Sequence, residues 1–134
     1  MRILSLETCF KYCSAALLVD GELFSFETLL EKNRQAEMLL EQVDKCLKSS
    51  EMPLDQIDVI AVTRGPGSFT GVRIGLAAAH GLKYGVKEGG ALDDAIYSIS
   101  TLALLWYLNG KNDCVIALKA GRGRFYVQRF LGAL

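Results

Sequence analysis

The sequence predicts an α/β fold, and three observations carry that prediction. Short segments alternate apolar and polar residues or run β-branched, as strands do, while two longer segments space their apolar or small residues at helical intervals. Asp-Gly and Pro/Gly breaks separate them. A chain of 134 residues that is 51% hydrophobic is long enough for one core and lacks the low hydrophobicity of a disordered chain.

Residues 2 to 8, Ser14 to Val19 and Glu22 to Phe26 read as three strands, with Asp20-Gly21 as the hairpin turn between the last two. Arg34 to Lys48 reads as an amphipathic helix that places Ala36, Leu39, Leu40, Val43, Cys46 and Leu47 on one face. Ser49 to Gln56, holding Pro53, is a loop that leads into a buried strand at Asp58 to Thr63. A second helix runs from about Ser68 to Tyr84, followed by a connector at Lys87-Glu88-Gly89-Gly90. A short strand near Ala95 to Ser98 and a helix from about Thr101 to Leu108 come next. Strands at Cys114 to Leu118 and Phe125 to Phe130 close the chain around a Gly-Arg turn. The opening order βββαβα, with a hairpin feeding a strand that can pair parallel to the first, is the ribonuclease-H-like pattern of actin-like and sugar-kinase lobes.

The loop Arg64-Gly65-Pro66-Gly67-Ser68-Phe69-Thr70-Gly71 joins strand to helix, with Ser68 or Thr70 as the helix cap, and a helix start of this kind attracts anions. It is no P-loop, because no lysine follows the glycines, and Gly65, Gly67 and Gly71 match the dinucleotide fingerprint GxGxxG poorly. A capped turn that binds nothing and a contact with an adenine nucleotide both remain open. In the helix, Gly71, Gly75 and Ala79 repeat every four residues. Removing Cβ atoms lets another backbone approach closely, either this protein's own sheet or a partner helix.

Cys9, Cys13, Cys46 and Cys114 form no CxxC pair and read as small buried hydrophobes of a reducing compartment. Glu7 and Lys11 interrupt the N-terminal apolar residues before a secretion-type core forms, and the apolar run at Thr101 to Leu108 falls short of the roughly 18 to 20 residues that span a bilayer. The expected setting is cytoplasmic, without a membrane. Net charge is zero, yet residues 1–63 carry six Lys/Arg against eleven Asp/Glu and the remainder nine against four. After Asp113 the charged residues are Lys119, Arg122, Arg124 and Arg129, a basic run that suits RNA, an acidic partner or plain solvent.

The opening MRILSLETC, the segment RGPGSFTGVRIGLAAAHGLKYG and the later SISTLALL resemble the TsaB (YeaZ) family over about residues 1 to 130. The resemblance implies an actin-like (ASKHA) fold and a scaffold protein that supports N6-threonylcarbamoylation of adenosine 37 in ANN-reading tRNAs. It implies a TsaD-type catalytic subunit and a TsaE-type ATPase as partners, tRNA reached through the complex, and a homodimer as the alternative pairing. The docking helices would be those at about 34–48 and 70–84, with Leu39, Val43, Gly71, Arg73, Ile74, Gly75, Ala78 and Leu82 as interface residues. No catalytic residue and no metal ligand are assigned. No cofactor is required, with ATP or ADP as the candidate ligand at the complex interface and Glu7, Thr8, Gly65, Gly67 and Ser68 as its candidate contacts. Members continue into a larger second lobe, so 1–97 is expected to form the N-terminal lobe and 98–134 the start of an incomplete second one.

Two departures from the family pattern stand out. Where members carry Asp-Ala-Arg followed by Gly and Glu, this chain reads Lys119-Ala120-Gly121-Arg122-Gly123-Arg124, and a histidine ahead of the first helix is replaced by Gln35. TsaD enzymes hold a metal through two histidines and a carboxylate, whereas His80 is the single histidine here, and it offers no evident base to Ser68 or Cys9. The rival expectation is a small actin-like nucleotide hydrolase using Glu7 and the Gly65–Gly71 loop, with a Rossmann oxidoreductase behind it.

Overall fold

The computed structural model describes residues 1–31, 34–86 and 96–132. The connector Lys87–Gly90 and the Ala95 end of the fifth strand lie outside them. A five-stranded mixed sheet forms from β1 (Arg2–Glu7), β2 (Tyr12–Val19), β3 (Glu22–Leu29), β4 (Val59–Thr63) and β5 (Ile96–Ile99), in the order β3-β2-β1-β4-β5. The first three strands are an antiparallel meander, and β4 and β5 run parallel to β1. The α/β expectation of an actin-like lobe with a leading three-stranded unit therefore holds.

Period-two patterning sets the register. Leu4 and Leu6 of β1 face the core with their partners Leu17 and Ala15 of β2, and Ser5 points to the other side. The Asp20-Gly21 turn places both residues at positive φ, 49° and 93°, the primed-turn geometry that a two-residue hairpin needs. At the other end of β1, Arg2 grips Asp58 twice, Nη2 to Oδ1 at 2.7 Å and Nε to Oδ2 at 3.2 Å. The Arg2 amide adds a third bond to Oδ2 at 2.6 Å. These donors hold the Asp58 carboxyl at about 2, below its ordinary value, and tie the entry of β4 to the start of β1.

Helices α1 (Gln35–Ser49) and α2 (Phe69–Tyr84) cover one face of this sheet. The core joins Leu4, Leu6, Leu17, Leu39, Val43, Ile60, Val62 and Ala79, and each fully buried Leu or Ile side chain contributes about 1.5–3 kcal/mol. The buried face of α1 is Met38, Leu39, Gln42, Val43 and Cys46, with Ala36 and Leu40 outside it. That corrects the predicted face by a rotation toward Met38 and Gln42. Gln42 can be buried because its amide donates to the Met38 carbonyl one turn back, at 3.2 Å.

A one-turn 3-10 helix at Leu54–Gln56 fills the loop before β4. Beyond β5, α3 (Thr101–Leu108) starts on a Ser100 cap and packs against an antiparallel hairpin of β6 (Cys114–Gly121) and β7 (Arg124–Phe130). Trp106 stacks on Phe130 with ring centroids 5.1 Å apart. Among the described residues no helix is long and apolar enough to cross a membrane.

Candidate functional site

The predicted site residues gather where β1 ends, beside the loop that follows β4. Thr8, wholly buried, donates its hydroxyl to the Gly71 carbonyl at 2.7 Å. A Cβ on Gly71 would lie 1.9 Å from the Thr8 carbonyl oxygen, and one on Gly75 would lie 2.6 Å from the Thr8 hydroxyl and 3.3 Å from Val62. The small-residue stripe is thus the seam by which α2 seats on its own sheet. A Cβ on Gly67 would meet that of Cys9 at 2.6 Å, so the loop lies tight against the segment that follows β1. The Ser68 amide donates to the Cys9 carbonyl at 2.8 Å. Ser68 Oγ, not Thr70, is the helix cap, accepting from the Gly71 amide at 3.2 Å. Gly65 sits at a φ of 87°, which favours glycine, and its carbonyl receives the Thr101 amide at 2.9 Å.

Glu7 closes β1 toward the opposite face of the sheet. Its Oε1 accepts the Cys9 amide, while Oε2 is buried without a partner. Beside it lies a cavity of about 140 Å³, lined by Ser5, Glu7, Ser14, Ala16, Thr63 and Leu104 among others. The Cys9 thiol donates to Thr63 Oγ1 at 3.2 Å. Burial pushes that thiol up, and the Thr63 and Thr101 hydroxyls pull partly the other way. The Thr101 hydroxyl faces Cys9 without completing a hydrogen bond of ordinary geometry. Cys13 and Cys46 are buried, Cys114 is half-buried, and all four cysteines are free thiols.

The predicted interface residues do not share one surface. Leu39 is 0% and Val43 2% exposed, and Gly71 and Gly75 are buried against Thr8. The chain's own core and sheet occupy the space in front of these four. Ile74, Ala78 and Leu82 are half-buried against the core, and Arg73 is exposed. The outward face of α2 instead presents Phe69 (76% exposed), Arg73, Ala77, His80 and Tyr84 (80% exposed). At 100° per residue this stripe lies about 160° around the helix from the glycine stripe. The Arg73 guanidinium sits over the Phe69 ring at 5.4 Å, and His80 stacks with Tyr84 at 6.4 Å. A shallow recess lies between Thr70, Arg73, Ile74 and Ala77. The recurrence of 69, 73, 77, 80 and 84 is a helical period visible in the sequence.

The family model described as "TsaD: tRNA N6-adenosine threonylcarbamoyltransferase" matches residues 31–132. The "tRNA threonylcarbamoyladenosine biosynthesis protein TsaB" of Escherichia coli K12 is 35% identical over 130 residues, which is 94% of this chain and 53% of that protein. Its namesake in Haemophilus influenzae is 40% identical over 85 residues, 63% of this chain and 36% of that one. The solved structure "YeaZ from Pseudomonas aeruginosa" superposes with a TM-score of 0.81 at 30% identity, covering 97% of this chain and 60% of that one. The chain spans about half the length of the curated relatives it matches.

Proposed function

Given that the chain belongs to the TsaB (YeaZ) family, within the group that the threonylcarbamoyltransferase model describes, we propose that it acts as a non-catalytic scaffold in tRNA threonylcarbamoyladenosine biosynthesis. It would bind a TsaD-type catalytic subunit through α2 and the adjoining exposed edge of α1, work beside a TsaE-type ATPase, and meet tRNA through the complex in the cytoplasm. The observation that supports this reading most is the outward stripe of α2. Phe69, Arg73, Ala77, His80 and Tyr84 form an aromatic and cationic surface, the composition enriched at protein interfaces, on a helix whose other side is locked to the sheet. On α1, Leu40 is 46% exposed.

The test mixes the purified chain with a TsaD-type subunit and follows the complex by size exclusion, with Ala77→Arg and Arg73→Glu as variants. Co-elution that either variant weakens by tenfold or more supports the reading. No complex, together with no rescue of tRNA modification in a strain depleted of its TsaB protein, refutes it. A homodimer through the same stripe is read by the same variants as loss of the dimer peak.

One observation favours a second reading, an actin-like nucleotide-binding hydrolase. The unpartnered Glu7 Oε2 borders a cavity near the loop, where a bound ATP or ADP with its cation would supply the missing partner. Calorimetric titration with ATP and ADP, with and without magnesium, separates the two. Tight magnesium-dependent binding with turnover, lost in Glu7→Gln, favours the hydrolase.

A further inference from the structure

Thr8, the residue after β1, is wholly buried, and its hydroxyl meets α2 at two places. It donates to the Gly71 carbonyl at 2.7 Å, the carbonyl that in a regular α-helix also accepts the Gly75 amide. It also occupies the room a side chain on Gly75 would need, since a Cβ there would lie 2.6 Å from the hydroxyl oxygen. The remaining neighbours of that Cβ stand further off, Val62 Cγ2 at 3.3 Å and the Thr8 Cβ at 3.8 Å. Gly71 differs in kind. A Cβ there would meet the Thr8 backbone carbonyl at 1.9 Å, an obstacle that no side-chain change at position 8 removes.

We propose that the Thr8 hydroxyl and the missing Cβ of Gly75 are a matched pair that sets the height of α2 above the sheet, which makes Thr8 a positioning residue for partner docking. This role rests on the docking function proposed above and names the interior group that tunes it. Helix α1 packs on β2 and β3 as well as on α2, so its own height is fixed by other contacts. A partner laid across both helices therefore meets their relative height. Lifting α2 alone brings a clash at one helix or leaves a gap at the other. Binding surfaces keep their productive geometry to within about 0.5 Å. The 2.6 Å approach of a Gly75 Cβ falls short of ordinary contact, which begins at 3.4 Å, by more than that. Thr8 touches no partner, being wholly buried, and acts through the helix it supports.

The experiment is a double-mutant cycle between positions 8 and 75, read as the dissociation constant of the whole chain for a TsaD-type subunit by titration calorimetry. Urea unfolding followed by circular dichroism first shows each variant to be fully folded under the titration conditions, so lost stability alone does not move the readout. Gly75→Ala is expected to weaken docking at least tenfold. Thr8→Ala/Gly75→Ala is expected to return to within threefold of the native chain, because the new methyl takes the room the hydroxyl leaves. Thr8→Ser keeps the hydroxyl and should also stay within threefold. The urea midpoints supply a control that needs no partner: Thr8→Ala should rescue Gly75→Ala but not Gly71→Ala, whose obstacle is backbone. Native affinity in Gly75→Ala overturns the proposal. So does an equal loss in Gly75→Ala and in the double variant, which would turn position 75 itself toward the partner. Should Gly75→Ala not fold, the double variant carries the test, native-like docking supporting the matched pair and a tenfold loss overturning it. No complex with the native chain overturns the docking reading and this role with it, whereas a native complex without rescue overturns this role alone.

Discussion

Gly71→Ala is the sharpest test of how α2 is held. The new Cβ would start 1.9 Å from the Thr8 carbonyl, whereas ordinary contact begins at 3.4 Å, and the obstacle is backbone rather than a rotatable side chain. The first turn of α2 must withdraw, which breaks the Thr8 hydroxyl bond to Gly71 at 2.7 Å and the Ser68 amide bond to Cys9 at 2.8 Å. Each bond is worth about 0.5–1.5 kcal/mol net, and overpacking adds about 1–3 kcal/mol. Replacing a helical glycine returns about 1 kcal/mol. The expected net loss is about 3 kcal/mol, a large part of the roughly 5–15 kcal/mol that holds a domain of this size. Urea unfolding followed by circular dichroism measures it as a lower midpoint at unchanged slope. A variant with the native midpoint that loses only its partner would move the glycine stripe to the docking face and refute the reasoning.

Three further outcomes follow from the same geometry. In the same helix, Gly81→Ala meets nothing within 4 Å and should stabilise the chain by up to about 1 kcal/mol in the same urea assay, the opposite sign from Gly71→Ala. Ser68→Ala removes the cap accepting from the Gly71 amide and should cost about 1 kcal/mol, while Thr70→Ala, which caps nothing, should cost less. The Asp58 carboxyl, held at about 2 against an ordinary 3.8, is depressed by folding, so its contribution is present above pH 4 and lost as pH falls through 2. Asp58→Asn should therefore have a lower urea midpoint than the native chain at pH 6, with the gap closing between pH 4 and 2; a gap that stays constant over that range argues against the Arg2 pairing.

The sequence was most legible where one residue type answers one local demand. Asp20-Gly21 marks a turn because both positions take positive φ, and the runs at Arg2–Glu7 and Val59–Thr63 mark strands through their patterning. The helix expected at about Thr101 to Leu108 spans Thr101–Leu108, and the structure shows Ser100 capping its start and Asn109 at its end. Legibility fell where the answer depends on what lies across a contact. Gln42 reads as a surface residue until the Met38 carbonyl satisfies it, and that shifts the whole buried face of α1. The stripe Gly71, Gly75, Ala79 announces a close approach but not its partner. Thr8, 63 residues earlier than Gly71, is that partner, and no local pattern points to it. The same separation hides the meaning of Glu7, whose unpartnered oxygen becomes visible only when β1, β4 and α3 come together.

The two stripes of α2 explain each other. A surface offered to another protein binds best when it need not be ordered on binding, because each side chain or segment that must be fixed lowers the affinity left over. Here the helix bearing Phe69, Arg73, Ala77, His80 and Tyr84 is seated through Gly71 and Gly75 on Thr8 at its N-terminal half and through Ala79, 0% exposed, further along. Its start is capped by Ser68, and the loop before it is pinned to Cys9. Larger residues at 71 and 75 would hold the helix off the sheet and let it rock on flexible side chains. Small ones bring backbone to backbone and fix the opposite face as a rigid ridge. In the docking proposed above, the glycines would act without touching a partner, by setting the position of the side chains on the opposite face.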